Sequence, residues 1–352
     1  MEKKYILTDE IRKSNGKILH RIQAVRDFGK IHTGDLGGWI EKEWNLSHEG
    51  DCWIDNNAQV YDDAHVFGNA HIYGNAHIYG NTQIYDNAHI YGNTQIYGNA
   101  HIYGNAHIYG NAWVYDNAHI YGNTQIYGNA QICGNAQIYG NAHIYGNAQI
   151  YGNAQICGNA HVFGNAHIYG NAHIYGNAWV YDNAHIYGNA WVYNNAHIYG
   201  NAQIYGNAQI YSNANVYGDA IICEEMLVSY SKIDTDLRTD IVASLRGQCN
   251  LLLIKNKVIA YKIVNRNLTS LFDENFVYKI GEIAEVKNPD KSHASCASGL
   301  HFSNLTYWDD NVQKYKDKTY LVAEINVEDI ITIQQGKIRC KKAKILDKVD
   351  IQ

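Results

Sequence analysis

The chain has 352 residues, 46% of them hydrophobic, with a formal net charge of −6 and a single proline, Pro289. Such a length accommodates two or three compact units, and the mild negative charge gives no global attraction to nucleic acid or to an anionic membrane. No apolar run approaches a membrane-spanning length, and Met1-Glu2-Lys3-Lys4 leads into mixed sequence without a secretory apolar region, so a cytoplasmic location is expected. Seven cysteines show neither metal-type nor disulfide-framework spacing.

Residues 1–51 are not periodic. They carry Gly34-Asp35-Leu36-Gly37-Gly38-Trp39-Ile40 and run on into Gly50-Asp51-Cys52-Trp53-Ile54. A cap over the open apolar end of the repeats that follow is the expected role, because stacked repeats leave their terminal faces uncovered. The paired glycines invite a phosphate-loop reading, but no Gly-Lys-Ser/Thr follows them.

Residues 52–223 are dominated by one six-residue unit, most often Ile-Tyr-Gly-Asn-Ala-His or the same with Gln last. An aliphatic residue recurs at every sixth place from Val60 to Ile222, 28 times without an insertion. Six residues are too few for paired-helix repeats, and the Tyr, Ile and Val content with alternating polarity favours strands. Ala76 and Ile78 then point one way while His77 and Tyr79 point the other. Ala and Ile form the interior pair, since the reverse would bury unpartnered polar groups at roughly 1–3 kcal/mol each. Gly and Asn, as in Gly80-Asn81, are expected to make the corner, both being tolerant of left-handed backbone. Cys133, Cys157 and Cys223 occupy Tyr places and are expected as outward thiols, which suits a reducing compartment.

Ile78-Tyr79-Gly80-Asn81-Thr82-Gln83 resembles the hexapeptide-repeat left-handed β-helix family, departing from it in the Tyr at the second place. The resemblance implies three hexads per triangular coil of 18 residues, and the left-handedness comes from it alone. The Gly-Gly-Trp-Ile and Gly-Asp-Cys-Trp-Ile runs resemble the amino-terminal cap of uncharacterised bacterial and prophage hexapeptide-repeat proteins that are filed as acyltransferases. The expected fold is mostly β, a left-handed parallel β-helix between an amino-terminal cap and a carboxy-terminal α+β domain.

An 18-residue coil would place His71, His89 and His107 in one column and His101 and His119 in another. Repulsion between stacked imidazolium ions should then lower their titration. A dedicated metal site is not expected, because the His place also accepts Gln, as at Gln83 and Gln95, and Trp. No cofactor is expected either. The outward residues Tyr73, His77, Tyr79, His101, Tyr103, His107, Trp113, Tyr115, Trp179, Tyr181, Trp191 and Tyr193 offer large amphipathic area on rigid strands, which suits recognition. The reading is a non-enzymatic binding or scaffold protein, of phage or prophage type by resemblance. Its partner would be a protein, a repetitive polymer such as a glycan, or further copies of the chain in a homo-oligomer, with no nucleic acid and no membrane. The family resemblance also implies acyl transfer as an alternative. The loops that such enzymes insert between coils are missing from this array.

Residues 224–352 have mixed composition and read as a separate α+β domain. Leu237, Ile241, Val242 and Leu245 have helical spacing, and a hairpin is expected from 251–254 and 258–264 around Lys255-Asn256-Lys257. Further strands are expected at 276–280, 320–326 and 337–346, the last with one solvated face. Ala260-Tyr261-Lys262, Tyr278-Lys279-Ile280-Gly281 and Ser295-Cys296-Ala297-Ser298-Gly299-Leu300-His301-Phe302-Ser303 resemble a small phage and prophage domain of unknown function. Gly299-Leu300-His301-Phe302-Ser303, with Tyr315 and Glu324, is also loosely similar to the core of ADP-ribosyltransferases. That resemblance implies a second alternative site at Tyr261, Lys262, His301, Ser303 and Glu324. It departs from the family in having Tyr261-Lys262 where Arg or His is usual, and no acidic residue two places from Glu324.

Overall fold

The computed structural model describes residues 2–229, 231–290, 298–309 and 318–350. Ser295, Cys296, Ala297 and Tyr315 lie outside the described residues. The chain forms two compact units, Met1–Asn201 and Ala202–Gln352, which part inside the hexad array.

The first unit begins with an antiparallel hairpin of Tyr5–Ser14 and Lys17–Ala24, closed by Asn15 and Gly16, both at positive φ. Leu36–Ile40 joins the second hairpin strand antiparallel and then pairs parallel with Gln59–Val60. The cap sheet is therefore continuous with one wall of the repeats. Gly37 and Gly38 are needed for packing. A Cβ on Gly37 would lie 2.6 Å from Ile22, Trp53 and the Ile54 carbonyl, and one on Gly38 2.6 Å from Ile54 and the Ala58 carbonyl. Lys4 is fully buried beneath this cap, its Nζ donating to the carbonyls of Cys52 (2.8 Å) and Gly50 (3.2 Å).

The hexads form a parallel β-solenoid. Each contributes a two-residue strand such as His89–Ile90, paired in register with His71–Ile72 on one side and His107–Ile108 on the other, so one coil is 18 residues. The aliphatic residue at every sixth place from Val60 to Ile222 is fully buried, and so are the alanines. Thr82, Thr94 and Thr124 also point inward, and their hydroxyls are satisfied by the carbonyls of Tyr79, Tyr91 and Tyr121, three residues earlier.

The corner differs from expectation. Of the Gly-Asn pair only the first place takes the left-handed backbone, as at Gly80 (φ +71°), and a Cβ there would meet the Gly98 carbonyl oxygen of the next coil at 2.7 Å. Asn instead builds a side-chain ladder: each Nδ2 donates to the Oδ1 of the Asn 18 residues on, as in Asn81 to Asn99 and Asn99 to Asn117, both 3.0 Å. Where Asp replaces Gly, as at Asp86, its carboxylate accepts from the Gly104 amide at 3.1 Å, which offsets the positive φ of +59°. The thiols also differ, because Cys133 and Cys223 are buried. A side chain as short as Cys sinks between longer neighbours, and Tyr115 hydrogen-bonds to Cys133.

In the second unit the coiling continues past the last hexad. Gln209–Tyr211 pairs with Leu227–Ser229 at the usual step of 18 residues, and Asn215–Val216 with Lys232–Ile233 at a step of 17. A helix follows at Ile241–Cys249, capped by the Asp240 carboxylate accepting from the Ala243 amide at 2.8 Å and ended by Asn250 in left-handed geometry. The expected apolar stripe is only half correct. Leu237 precedes the cap, and Ile241 and Val242 are exposed because the buried face runs through Ser244, Leu245, Gln248 and Cys249.

Two antiparallel sheets complete this unit. One has five strands in the order Leu253–Ile254, Lys257–Asn265, Lys318–Asn326, Lys342–Asp350, Ile283–Glu285. The other has three, in the order Leu300–Phe302, Lys337–Cys340, Ile330–Gln334. The hairpin turn is two residues, Lys255 and Asn256, both at positive φ. Residues 276–280 are not a strand; a single bridge joins Thr269 to Val277, and of this stretch only Tyr278 is buried. Residues 337–346 break at Lys341, whose amide donates to the Asp329 carbonyl, so the two halves enter different sheets.

Ile144 is fully buried between Ile126 and Val162, whereas His143 beside it is only half-buried. Ile144→Asp should lower stability by about 4 kcal/mol or more, since it leaves an uncompensated carboxylate in the stack. His143→Gln should change it by less than about 1 kcal/mol. Chemical denaturation of both variants checks this ordering.

Candidate functional site

Two regions carry chemistry. The first is the outer surface of the repeats in the first unit, where the outward side chains form columns. Tyr61, Tyr79, Tyr97 and Tyr115 stack with ring centroids 5.1, 4.9 and 5.1 Å apart and planes within 7° of parallel. Tyr73, Tyr91, Tyr109, Tyr127 and Tyr145 form a second column at 4.6–5.0 Å, and Tyr85, Tyr103, Tyr121 and Tyr139 a third at 4.9–5.0 Å. The ring faces cover one another and the tyrosines stay half-buried at the surface, except Tyr61, which is buried and accepts from Asn15 Nδ2 at 2.8 Å. In the second column several tips turn back to imidazole, as Tyr73 to His71 Nδ1 at 3.0 Å and Tyr109 to His107 Nδ1 at 3.1 Å.

The twelve outward residues expected to form a binding surface are distributed over three walls. His77, Tyr79, Trp113 and Tyr115 lie on one, His101, Tyr103, Trp191 and Tyr193 on another, and Tyr73, His107, Trp179 and Tyr181 on the third. The three tryptophans are the most exposed of the set, at 37–41%. Two of them also have their faces in use: Trp179 stacks between His161 at 4.6 Å and His197 at 5.6 Å, and Trp191 stacks on His173 at 4.5 Å, whereas Trp113 lies between Gln95 and Gln131.

The histidine columns are present. His71, His89 and His107 follow one another at 5.6 and 5.1 Å, and His101 and His119 at 4.9 Å. His71, His89 and His101 all titrate below the ordinary imidazole range, with loss of hydration as the first cause and the next imidazole as the second. Repulsion within the column is thus the lesser contribution. Among the described residues no cluster of three or more His, Cys, Asp or Glu could hold a metal ion, and no helix is long and apolar enough to cross a membrane.

The second region is a cleft of about 660 Å³ in the carboxy-terminal domain. Lys262 and His301 both line it, with Lys262 Nζ donating to the His301 carbonyl at 3.3 Å. Lys262 is 6% exposed, and burial lowers its pKa to about 8. His301 is lowered to about 4 by burial first, then by the charges of Lys262, Arg339 and Lys337, so its imidazole is neutral at pH 7.

The other residues of the expected site serve elsewhere. Tyr261 and Ser303 exchange backbone hydrogen bonds at 2.6 and 2.9 Å, and the Ser303 hydroxyl is spent on the Gly336 carbonyl. Glu324 is opposite Ile259 in the sheet, while Lys262 is opposite Leu321, so alternation puts the two charged side chains on opposite faces. Glu324 pairs instead with Lys257 at 2.8 Å. The ADP-ribosyltransferase-like set is therefore not assembled.

Arg339 was not anticipated. It belongs to the strand expected to have a solvated face, yet it is 3% exposed, because its strand is central in the three-stranded sheet. Its Nε donates to His301 Nε2 at 3.3 Å and its Nη1 to the Asp290 carbonyl at 3.1 Å. Gly299 makes room for it: at φ +152°, a Cβ there would lie 2.6 Å from Arg339 Cγ. That glycine beside a strand containing Arg is the signal the sequence held.

Since the folded imidazoles bind protons at lower pH than unfolded ones, the unfolded chain takes up more protons as pH falls through about 6.5, and stability falls with it. Melting temperature should hold above about pH 7 and drop toward about pH 5. Because burial is the larger cause, most of the drop should persist in high salt. Combining His89→Gln with His101→Gln should flatten the profile; an unchanged profile would mean these columns do not govern it.

Three segments of the array, residues 94–110, 136–152 and 154–170, match the YdcK Beta solenoid repeat family. Residues 258–352 match a family described as Domain of unknown function (DUF7666). Among curated proteins, the chain is similar to the "Uncharacterized acetyltransferase YdcK" of Escherichia coli (strain K12), 44% identical over 48 residues. That likeness spans 13% of this chain and 15% of the relative's length. The chain thus joins a β-solenoid, three segments of which are similar to YdcK-type repeats, to a carboxy-terminal domain similar to a family whose function is unknown.

Proposed function

We propose that the hexad array is a binding scaffold for a repetitive polar polymer, a glycan chain being the simplest such partner. The observation that supports this reading is the stacking of the tyrosines. Face-to-face columns leave little ring face for an apolar partner, but they set phenol, imidazole and amide groups in rows about one strand spacing apart. A polymer carrying hydroxyl or amide groups at regular intervals can accept and donate along such rows without distortion of the protein. Rigid strands add the advantage that little conformational entropy is lost on binding.

The name of the Escherichia coli relative supports acetyl transfer as a second reading. In that case acetyl-CoA should raise the melting temperature; the scaffold reading predicts no shift.

Co-sedimentation with chitin, cellulose and peptidoglycan tests the scaffold. Retention on at least one polymer is expected, and a combined Tyr85→Phe, Tyr103→Phe and Tyr121→Phe variant should weaken it about tenfold or more while leaving the melting temperature nearly unchanged. Phe preserves the stack and removes only the hydroxyl contacts, each contributing roughly 0.5–1.5 kcal/mol. Failure to bind all three polymers, or equal retention of the Phe variant, would overturn the reading.

A further inference from the structure

We propose that the carboxy-terminal cleft binds a small planar aromatic anion, its acidic group held by Lys262 and Lys337 and its ring lying against Phe272, Phe276 and Trp308. This inference does not depend on the ladder reading.

Charge is the first argument. Lys262 is more than nine-tenths buried, yet Nζ has a single hydrogen-bond acceptor among the described residues, the His301 carbonyl at 3.3 Å. An ammonium carries three donors, and burying it without a counter-charge is costly. Among the described residues no carboxylate lies within ion-pair distance of it. Burial is the main cause that lowers its pKa, Cys340 opposes this and the cation Lys337 adds to it, and His301 experiences three cations at once, Lys262, Arg339 and Lys337. Two carboxylates line the cleft, and both are engaged elsewhere: Glu285 pairs with Lys342 at 3.1 Å, and Asp273 accepts from the Asn275 amide at 3.1 Å. His301 adds no negative charge and, being neutral, adds no repulsion. An incoming phosphate or carboxylate would supply the acceptors that Lys262 lacks.

The second argument is shape. Much of the lining is aromatic, with Phe272, Phe276, Tyr278, Tyr307 and Trp308 all contributing to the cleft. Phe272 is 85% exposed, the most exposed large apolar side chain among the described residues. Trp308 is fixed by its Nε1 donating to the Tyr261 carbonyl at 2.8 Å. The ammonium of Lys262 itself lies 5.7 Å from the Tyr278 ring centre and 5.9 Å from that of Phe302, which holds it in place without neutralising it. A cavity of this size, mostly apolar with a few convergent cationic groups, is the usual construction of a small-molecule site. A planar ring bearing one acidic group satisfies both kinds of lining, cationic and aromatic, together.

Calorimetry on the full chain, with phenyl phosphate and adenosine monophosphate as probes, tests this. At least one should saturate below about 1 mM, and it should bind about tenfold or more tightly than either inorganic phosphate or the corresponding ring compound without phosphate, phenol or adenosine. Lys262→Met should abolish this binding, a loss of about tenfold or more for a charge-assisted contact. Because a buried substitution can disturb folding, Lys337→Met and Phe272→Ala at the cleft margin are the companion variants, each expected to weaken binding severalfold with an unchanged melting temperature. No saturation by either phosphate ester, binding matched by inorganic phosphate alone, or affinity unchanged in both marginal variants would overturn the proposal.

Discussion

Identical side chains meet at a separation of 18 residues, and nearly every other feature of the repeats depends on that in-register contact. Ile lies on Ile, Ala on Ala, Tyr on Tyr and Asn on Asn, as in Ile90 between Ile72 and Ile108 and Asn99 between Asn81 and Asn117. In the hexads the amides of the His or Gln, Tyr and Asn places donate to the coil above, as Tyr97 to the Val114 carbonyl at 3.0 Å, so one register satisfies the main chain, the interior and the surface together. A change of one residue in the spacing would turn the interior set outward. This explains why the hexads tolerate exchange of His for Gln or Trp on the outside, but keep Ala or Thr, and Ile or Val, within.

The same contact restricts what the surface can do. Aromatic columns are commonly taken as open platforms, but here each ring is the platform for the next. What remains available is a pattern of polar tips, together with three half-exposed tryptophans on three separate walls. Chemistry that needs a unique arrangement of groups is found instead in the carboxy-terminal domain. There, antiparallel pairing gathers Lys262, His301 and Arg339 from three strands that are distant in sequence.

The sequence disclosed the solenoid because its period is unbroken: one inward pair per hexad and no insertion leave a single consistent way to bury Ile and Ala. It was less informative where one residue type has two uses. Asn81 has the composition of a corner residue, and the ladder it forms is visible only once the coil length is known. Cys133 occupies a Tyr place, but its depth depends on the longer side chains around it. In the last domain, Lys262 and His301 could be picked out as unusual, whereas the separation of Glu324 from them follows from strand pairing that no local pattern reveals. Arg339 was hidden by an alternation that also fits a solvated edge.

The in-register 18-residue coil is the claim on which the rest stands, and cysteine cross-linking examines it most directly. Tyr103 and Tyr121 are one coil apart and stack at 5.0 Å, and neighbouring coils lie about 4.8 Å apart along the backbone, within the Cα separation that a disulfide spans. Tyr103 and Tyr115 are two hexads apart and lie on different walls. In a chain carrying Tyr103→Cys with Tyr121→Cys, mild oxidation should yield the 103–121 cross-link as the dominant new peptide by mass spectrometry, whereas Tyr103→Cys with Tyr115→Cys should yield no 103–115 cross-link, position 115 lying one coil from the native Cys133 and joining it instead. Efficient intrachain cross-linking of the 103–115 pair, with none for 103–121, would contradict the coil length and the stacking built upon it.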